Sequence, residues 1–234
     1  MRIFVAPEAL AKGELRISGD EHHYLGRVRR ARVGDPVEIV DGHGRRAAAT
    51  IVKIGEDTLL DVAEPETIVG KPPHIRALVP LIKGDRMDVC IEKLVEVGVD
   101  SIVVWPATRS VARLDDARRE GRLAKYRAAV QAAARQCGRA QVPDVTHASD
   151  LAAAIASLPP GKRVVLDPSA DAPLGVEGDL DVTIASGPEG GLTPDELERL
   201  VAGGFVAVGL GPRVLRAETA PTIAVALIRH ASRS

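Results

Sequence analysis

Apolar and polar positions alternate with a period of two over roughly the first 70 residues. The alternation runs through short segments separated by Gly, Asp and Pro: RIFV, GELRI, DPVEIVDGHG, RRAAATIVKI and TLLDVAEP. Short alternating runs of this kind are typical of half-buried antiparallel strands. The DGHG sequence at 41–44 is a good hairpin turn between two of them. The pattern therefore predicts a small antiparallel β-barrel or sheet at the N-terminus.

A different pattern follows the segment VGKPPH at 69–74, which we interpret as a linker because paired prolines continue neither a helix nor a central strand. Apolar runs such as IRALVPLI then alternate with longer segments of helical periodicity such as DRMDVCIEKLVEVGV. Strands interleaved with helices in this way predict a mostly parallel sheet that is covered on both faces. The expected fold class is α/β, preceded by the small β domain.

Three of the predicted parallel strands end in turn-forming residues. The segments are VVLDPSAD (164–171), TIASGPEGG (183–191) and VGLGPRVLRAETA (208–220). Ligands of open α/β sheets bind at the carboxyl ends of the strands, and glycine lets a backbone approach a ligand closely. The sequence therefore predicts one binding site that is built from three loops.

Glu189 lies within the second loop, immediately before the helix start TPDE. Glycine turns that precede a helix commonly bind phosphate, but the spacing here is neither GxGxxG nor GxxxxGK[ST], and a carboxylate repels an anion. A cationic or neutral ligand is favoured, and S-adenosylmethionine fits because it carries a sulfonium, an ammonium and ribose hydroxyls but no phosphate. The alternative is that Glu189 only caps the following helix, whose first turn already contains Asp195 and Glu196.

Charge is distributed unevenly, although the formal net charge is only −1. The stretch from His22 to Arg46 contains six arginines and three acidic residues. The stretch from Asp144 to Leu200 contains eleven acidic residues and three basic ones. The basic N-terminal stretch indicates an anionic partner, with a merely solvated charged surface as an equal alternative. Only five residues are aromatic, so platforms for base stacking must be few.

Composition excludes several other classes of protein. Hydrophobic residues make up 45% of the chain, enough for a buried core, yet no apolar run is long enough to span a membrane. We expect no signal peptide, because the stretch MRIFVAPEALAKGELR carries charge where a signal peptide needs an uninterrupted apolar run. A cytoplasmic location is therefore expected. Cys90 and Cys137 have no metal-ligand spacing, so we expect neither a zinc site nor a disulfide and interpret both as small core residues.

Five longer motifs, taken together, resemble the bacterial 16S ribosomal RNA uracil-N3 methyltransferases of the SPOUT superfamily. In chain order they are HHYLGRVRRARVGDPVEIVDGHG, KGDRMDVCIEKLVEVGV, QCGRAQVP, GPEGGLTPDE and LGPRVLRAETA, and they span nearly the whole chain. The sequence departs from the usual family pattern at Arg29, where Leu is common, and at Val97, where ELGV is common. Neither departure falls in the three glycine-bearing loops.

The resemblance implies a PUA-like β-barrel that binds RNA over residues 1–70 and a methyltransferase domain tied in a deep trefoil knot over residues 74–234. It implies S-adenosylmethionine as the cofactor, 16S rRNA or the small ribosomal subunit as the partner, and a homodimer, with no metal, membrane or DNA. The cofactor-binding residues carried over from the family are Leu166, Gly187, Glu189, Gly190, Leu210, Gly211 and Leu215.

Arg216 is the first catalytic candidate and Arg213 the second. A guanidinium against the uracil carbonyl oxygens would stabilise the anion that forms when N3 loses its proton; the alternative is a structural ion pair with Glu218 or Glu189. The general base stays open between Glu189, Glu218, a water and a group from a partner chain. The expected RNA-binding residues are Arg27, Arg30, Arg86, Arg109 and Arg139.

Two other functions are compatible with the sequence. One is a non-catalytic RNA-binding or ribosome-associated module, against which the intact glycines of the three loops argue. The other is a SPOUT methyltransferase of different specificity, for example for a ribose 2′-oxygen or guanine N1. The barrel domain and the QCGRAQVP segment favour uracil.

Overall fold

The computed structural model describes residues 1–68, 70, 72–110, 116–175 and 180–232. The chain divides into two compact units. Unit 1 comprises Met1–Gly70 together with Ala134–Val142, and unit 2 comprises Lys71–Ala133 together with Pro143–Ser234. The predicted linker at 69–74 contains two positions, 69 and 71, that lie outside the described residues.

Unit 1 is built on a six-stranded sheet. Its strands are β1 (Arg2–Phe4), β2 (Gly13–Ile17), β3 (Pro36–Val40), β4 (Arg45–Ile54), β5 (Thr58–Val62) and β6 (Glu66–Thr67). They pair in the order β1-β3-β4-β5-β2, with β6 on β4, and all pairs except β1 with β3 are antiparallel. The five alternating segments of the sequence thus form the predicted small β domain.

The predicted hairpin turn joins β3 to β4, and Asp41 holds it. One carboxylate oxygen of Asp41 accepts hydrogen bonds from the backbone N–H groups of His43 at 2.7 Å and Arg45 at 3.0 Å. Gly42 and Gly44 have φ angles of 77° and 92°, in the region that favours glycine. The inward residues of the strands, among them Ile39, form a continuous apolar core.

The basic stretch of unit 1 begins with a short helical segment in the connection between β2 and β3. Helix α1 (Gly19–His23) continues into a π-helical turn, Tyr24–Val28, whose Leu25 is buried in the core. The following side chains, including those of Arg27 and Arg30, are exposed. Leu25 therefore anchors a segment whose arginines face solvent.

Residues 134–142 group with unit 1 because of the contacts that Arg135 makes. Its guanidinium lies 5.5 Å from the ring centroid of Phe4 and 5.4 Å from that of Tyr24, and it forms an ion pair with Glu21. Burial raises the pKa of the Glu21 carboxyl even though the Arg135 charge opposes that shift. Tyr24 thus packs beneath an arginine and, partly buried, against the core of unit 1.

Unit 2 contains strands β7–β12 and helices α2–α6, which alternate along the chain except that β11 follows β10 directly among the described elements. They are β7 (Ile75–Pro80), α2 (Asp85–Val97), β8 (Ser101–Trp105), α3 (Asp116–Cys137, whose last residues belong to unit 1), β9 (Asp144–His147), α4 (Leu151–Ala156), β10 (Lys162–Leu166), β11 (Val182–Ala185), α5 (Pro194–Ala202), β12 (Val206–Val208) and α6 (Thr219–Ala231).

The sheet of unit 2 has the order β12-β10-β11-β7-β8-β9, and every pair is parallel. The predicted fold class, α/β with a small N-terminal β domain, is confirmed. Strand β9 was not predicted, because its four residues DVTH are too short for a periodicity to stand out. The core position expected for Cys137 is wrong: it is exposed near the end of α3, whereas Cys90 is buried.

Helix α5 begins with a capping box. Thr193 Oγ1 accepts the N–H of Glu196 at 3.2 Å, and the Glu196 carboxylate accepts N–H groups of Thr193 at 2.8 Å and Thr108 at 2.7 Å. Burial by itself raises the pKa of the Glu196 carboxyl, but the hydrogen bonds from Thr108 and Thr193 outweigh burial and leave that pKa below 4.5. Glu196 thus ties α5 to the loop after β8.

We predict that Glu196→Ala lowers the free energy of unfolding by about 2–3 kcal/mol at pH 7, because two backbone N–H groups lose their acceptor. The folded-state pKa is depressed, so the contribution is complete above the unfolded-state pKa and is lost as pH falls through the folded-state value. Urea unfolding at pH 7 and at acid pH measures both effects. Exposed Glu198→Ala is the matched control, expected within about 0.5 kcal/mol of the parent; equal losses for the two variants would contradict this account.

Candidate functional site

A cavity of about 450 Å³ lies in unit 2 beyond the carboxyl ends of β10, β11 and β12. The three strand-end loops predicted from the sequence all line it, and Arg86 of α2, Leu197 of α5 and Ala220 of α6 complete the wall. Strands β11 and β12 lie on opposite sides of β10, so the loops that follow them diverge and leave a crevice between them. The sheet order therefore creates the site.

The floor of the cavity consists of buried residues at the strand ends: Leu166, Ser186 and Val208. Two of these side chains are apolar. Ser186 is 1% exposed, and its hydroxyl has no hydrogen-bond partner among the described residues. The floor is thus apolar apart from one hydroxyl group.

The GPEGG loop is a tight turn held from outside by Arg109. The N–H of Gly191 donates to the carbonyl of Pro188 at 2.9 Å, and Gly191 has a φ of 71°. Arg109 Nη1 donates to the carbonyl oxygens of Gly190 at 3.1 Å and Leu192 at 3.3 Å. Arg109 therefore fixes the outer side of the loop.

Close packing also explains the first glycine of this loop. A Cβ atom on Gly187 would lie 3.1 Å from both the backbone nitrogen and Cγ of Leu192. Any larger residue would push the turn away from Leu192, which itself lines the cavity. Gly187 thus sets the distance between the two ends of the loop.

Glu189 is exposed at the cavity wall and does not cap α5. The helix is capped by Thr193 and Glu196, while Glu189 Oε1 accepts the backbone N–H of Lys83 at 3.4 Å. The capping alternative for Glu189 is therefore wrong. Its carboxylate is available to the cavity and brings the loop after β7 to the same edge of the sheet.

The third loop carries Arg213 and Arg216 on the cavity rim, with both side chains exposed. Arg216 Nη1 lies 3.9 Å from Glu218 Oε1, and the Arg216 side chain is 74% exposed. An exposed pair at this distance contributes little to stability. Arg213 forms no ion pair with any residue that the structure describes, so both guanidinium groups remain available to a ligand.

Glu218 lies largely buried at the start of α6, with a side chain 11% exposed. Its second oxygen, Oε2, accepts no hydrogen bond from the described part of the chain. Burial, reinforced by the charge of Glu218, raises the pKa of the Cys90 thiol to about 12. Cys90 is therefore protonated at neutral pH and is not a nucleophile.

The structure places the sequence-predicted residues as follows. Leu166, Gly187, Glu189, Leu210, Gly211 and Leu215 line the cavity, as do Arg213, Arg216 and Arg86. Gly190 is not part of the lining but is held by Arg109. Arg27, Arg30 and Arg139 belong to unit 1.

Sequence reasoning missed Ser186 and Asp167, which also line the cavity. Both directly follow a strand that had been predicted, so position at a strand end is the signal that could have found them. Within the described ranges, no group of three or more His, Cys, Asp or Glu side chains could hold a metal ion. None of the described helices combines the length and apolar character needed to cross a membrane.

Comparison with protein families finds two matches. The family model of the RNA methyltransferase domain matches residues 70–229, and that of the RNA methyltransferase PUA domain matches residues 17–60. The first covers more than half of the chain. Together they assign a family to the main part of both units.

Similar curated proteins are ribosomal RNA small subunit methyltransferases E. The protein of that name from Mycobacterium bovis is 34% identical over 228 residues, which cover 91% of this chain and 84% of the relative. The Bacillus subtilis protein is 28% identical, covering 92% of this chain and 89% of the relative.

Solved structures similar to this chain include a protein of the same name. The Neisseria gonorrhoeae ribosomal RNA small subunit methyltransferase E, bound to S-adenosyl methionine, superposes with a TM-score of 0.87 at 26% identity, covering 98% of this chain and 97% of the other. A Legionella pneumophila protein in complex with the bound cofactor SAM gives a TM-score of 0.84 at 25% identity, with the same coverage.

We predict that Gly209→Ala loosens the cavity wall, because its Cβ would lie 2.6 Å from the carbonyl oxygen of Ala170. The atom it would meet belongs to the backbone and cannot move away by a side-chain rotation, so the loops after β10 and β12 must separate. Thermal and urea unfolding should show a loss of about 1–3 kcal/mol. Gly121→Ala is the control, since open space surrounds Gly121 in α3 and alanine favours helix; an equal loss there would refute the steric explanation.

Proposed function

Because the chain belongs to the ribosomal RNA small subunit methyltransferase E family, we propose that it transfers a methyl group from S-adenosylmethionine to N3 of a uracil base in 16S ribosomal RNA. The observation that carries this proposal is the cavity at the three strand ends. It combines glycine loops and an apolar floor with the exposed carboxylate of Glu189, a combination suited to a cationic ligand without phosphate. The fold agrees, since unit 2 is a parallel α/β domain of SPOUT type and unit 1 matches a PUA domain.

The residues of the cavity fit S-adenosylmethionine. Its volume of about 450 Å³ lies within the range of small-molecule sites. Glu189 and Asp167 line the wall, where carboxylates favour a sulfonium and an ammonium, and Ser186 leaves one buried hydroxyl for a ligand. The residues that would hold the cofactor are Leu166, Gly187, Glu189, Leu210, Gly211 and Leu215, which line the cavity. Gly190 would contribute through the shape of the GPEGG turn, because Arg109 binds its carbonyl oxygen outside the lining. When bound, S-adenosylmethionine supplies an electrophilic methyl group.

Arg216 is proposed to stabilise the uracil as its N3–H is lost. The pKa of that N–H lies roughly two to three units above neutral, so ionisation costs about 3–4 kcal/mol. A guanidinium at the carbonyl oxygens recovers part of this cost, since it acts where negative charge develops. Arg216 and Arg213 both lie on the rim with exposed side chains, and Arg216 is held only loosely by Glu218.

The proton acceptor is proposed to be a carboxylate of this region. Glu189 lines the cavity, whereas Glu218 lies behind Arg216 with one oxygen that no described residue engages. Glu189 is the more accessible of the two, and Glu218 is better placed to orient Arg216. A comparison of the pH–rate profiles of Glu189→Gln and Glu218→Gln tests this division, because only loss of the base should remove the acidic limb.

RNA binding is proposed to involve both units. Arg27, Arg30 and Arg139 belong to unit 1, and the first two have exposed side chains suited to phosphate contacts. Arg86 lies on the cavity rim. Arg109 is partly engaged by the GPEGG loop, but a guanidinium has five N–H donors, so two carbonyls do not exhaust it. Filter binding of rRNA by an Arg27→Ala/Arg30→Ala variant at several salt concentrations tests the unit 1 contribution.

A homodimer is also proposed, in which each site is completed by the partner. Exposed apolar side chains on two helices packed against each other support it: Val89 of α2, and Ile223 and Leu227 of α6. The two α6 residues are four positions apart, so they share one face of the helix. Sedimentation velocity separates the 24.7 kDa monomer from a dimer.

A non-catalytic RNA-binding module is the alternative from another class. A cavity with no ligand to bind would not need its buried, unpartnered Ser186 hydroxyl or its close glycine contacts, so the geometry favours the enzyme. A methyltransferase for another RNA position shares the cofactor site and is separated from the proposal only by the product.

We predict that the protein methylates rRNA in vitro at uracil N3, and that Arg216→Ala lowers kcat by at least about 100-fold with little change in cofactor affinity. The reason is that Arg216 acts on charge that develops during the reaction. Incubation of rRNA or small subunits from a strain lacking the gene, followed by mass spectrometry of nucleosides, identifies the product. Calorimetry measures cofactor binding.

Arg199→Ala is the control, because this arginine is exposed on α5 and forms an ion pair with Asp195 on its own helix. Failure of the parent protein to bind S-adenosylmethionine, with or without RNA, would refute the proposed methyltransferase activity. Methylation at a ribose or at guanine would refute the uracil specificity alone. Equal loss of kcat and cofactor affinity in Arg216→Ala would make it a pocket residue.

A further inference from the structure

The hydroxyl of Ser186 is the most deeply buried polar group of the cavity lining. The residue is 1% exposed, and its oxygen has no hydrogen-bond partner within the described part of the chain. The Ser186 backbone N–H donates to the carbonyl of Leu78 at 3.1 Å, so its main chain is already fixed by the sheet. Leaving a buried hydroxyl unpaired costs about 1–3 kcal/mol, so native proteins usually provide such a group with a partner.

The surroundings of Ser186 differ from those of the other polar groups at the site. Its neighbours on the floor, Leu166 and Val208, are buried and apolar. The ionised groups Glu189, Arg213 and Arg216 are all exposed. Asp167, which directly follows Leu166, also lines the wall and is half-buried. The exposed charged groups thus lie at the mouth, whereas the buried residues Leu166, Ser186 and Val208 present a single hydroxyl.

A ligand that fills this cavity must match the same polarity. S-adenosylmethionine, the cofactor on which this inference rests through the proposed function, has a sulfonium and an amino-acid end that carry its charge. Its adenine is uncharged and flat, with amino and ring-nitrogen atoms along the edge. A hydroxyl both donates and accepts, so it can pair with either kind of edge atom.

We propose that the Ser186 hydroxyl hydrogen-bonds the adenine edge and positions the adenosyl group of the cofactor. The charged end then faces the mouth, where Glu189 lies on one side and Arg213 and Arg216 lie on the other. Ser186 thus contributes to affinity for the adenosyl group and takes no part in the methyl transfer itself.

The test is calorimetric binding of two ligands to Ser186→Ala: S-adenosylhomocysteine, and 5′-methylthioadenosine, which lacks the amino-acid end. Both affinities should fall about five- to twentyfold, because both ligands contain the adenine that loses its partner. Ser186→Cys keeps a side chain of similar size, but a thiol forms only weak hydrogen bonds, so this variant should lose a similar amount of affinity. Thermal melting checks that both variants fold.

Ser149→Ala is the control, because Ser149 is exposed and its hydroxyl donates a hydrogen bond to the neighbouring Asp150. Unchanged affinity of Ser186→Ala for both ligands would overturn the inference and leave the proposed function intact. Loss for S-adenosylhomocysteine alone would also overturn it, by moving the contact to the amino-acid end. Absence of binding by the parent protein would overturn the proposed function as well.

Discussion

Parallel pairing of β10 with β11 on one side and β12 on the other is the constraint on which the site depends. The registers pair Val165 with Ala185 and Leu166 with Val208, so the three strands end at nearly the same level. The loops that follow must therefore start side by side. Backbone hydrogen bonds then hold the loops after β10 and β12 together, from Asp167 N–H to the carbonyl of Val208 at 3.0 Å and from Gly209 N–H to the carbonyl of Ala172 at 2.8 Å.

This arrangement separates the tasks of the site. Backbone and glycine contacts determine its shape, while side chains at the mouth determine its charge. Arg109 and the α5 capping box stabilise the GPEGG loop from outside without entering the cavity. The mouth carries arginines that suit an anionic RNA substrate and a carboxylate that suits a cationic cofactor, in keeping with the proposal that both ligands use one opening.

The fold class and the three loops of the cavity could be predicted from the sequence. The fold follows from the periodicity of apolar residues, and the cavity lies where predicted strands end. The alternating runs of unit 1 and the apolar runs of unit 2 became strands, and the three turn-rich segments lie together because parallel strands share an edge. The capping alternative for Glu189 could not be rejected from the sequence, since only the geometry shows that Thr193 and Glu196 form the cap.

Other features depend on contacts that are remote in sequence. Arg135 brings the end of α3 into unit 1 by stacking on Phe4 and Tyr24, more than 100 residues earlier in the chain, and no local pattern indicates this. Ser186 escaped notice because a serine beside glycine and proline resembles any turn residue. Its burial, and the lack of a hydrogen-bond partner for its hydroxyl among the described residues, can be seen only in the folded structure.

The central claim is that the three loops after β10, β11 and β12 together bind S-adenosylmethionine. Hydrogen–deuterium exchange with and without the cofactor tests it most directly, because it reports on backbone amides segment by segment. The account predicts slower exchange in residues 167–173, 187–192 and 209–216, and unchanged exchange in the strands of unit 1. Protection confined to unit 1, or absent from these loops when the cofactor is saturating, would contradict it.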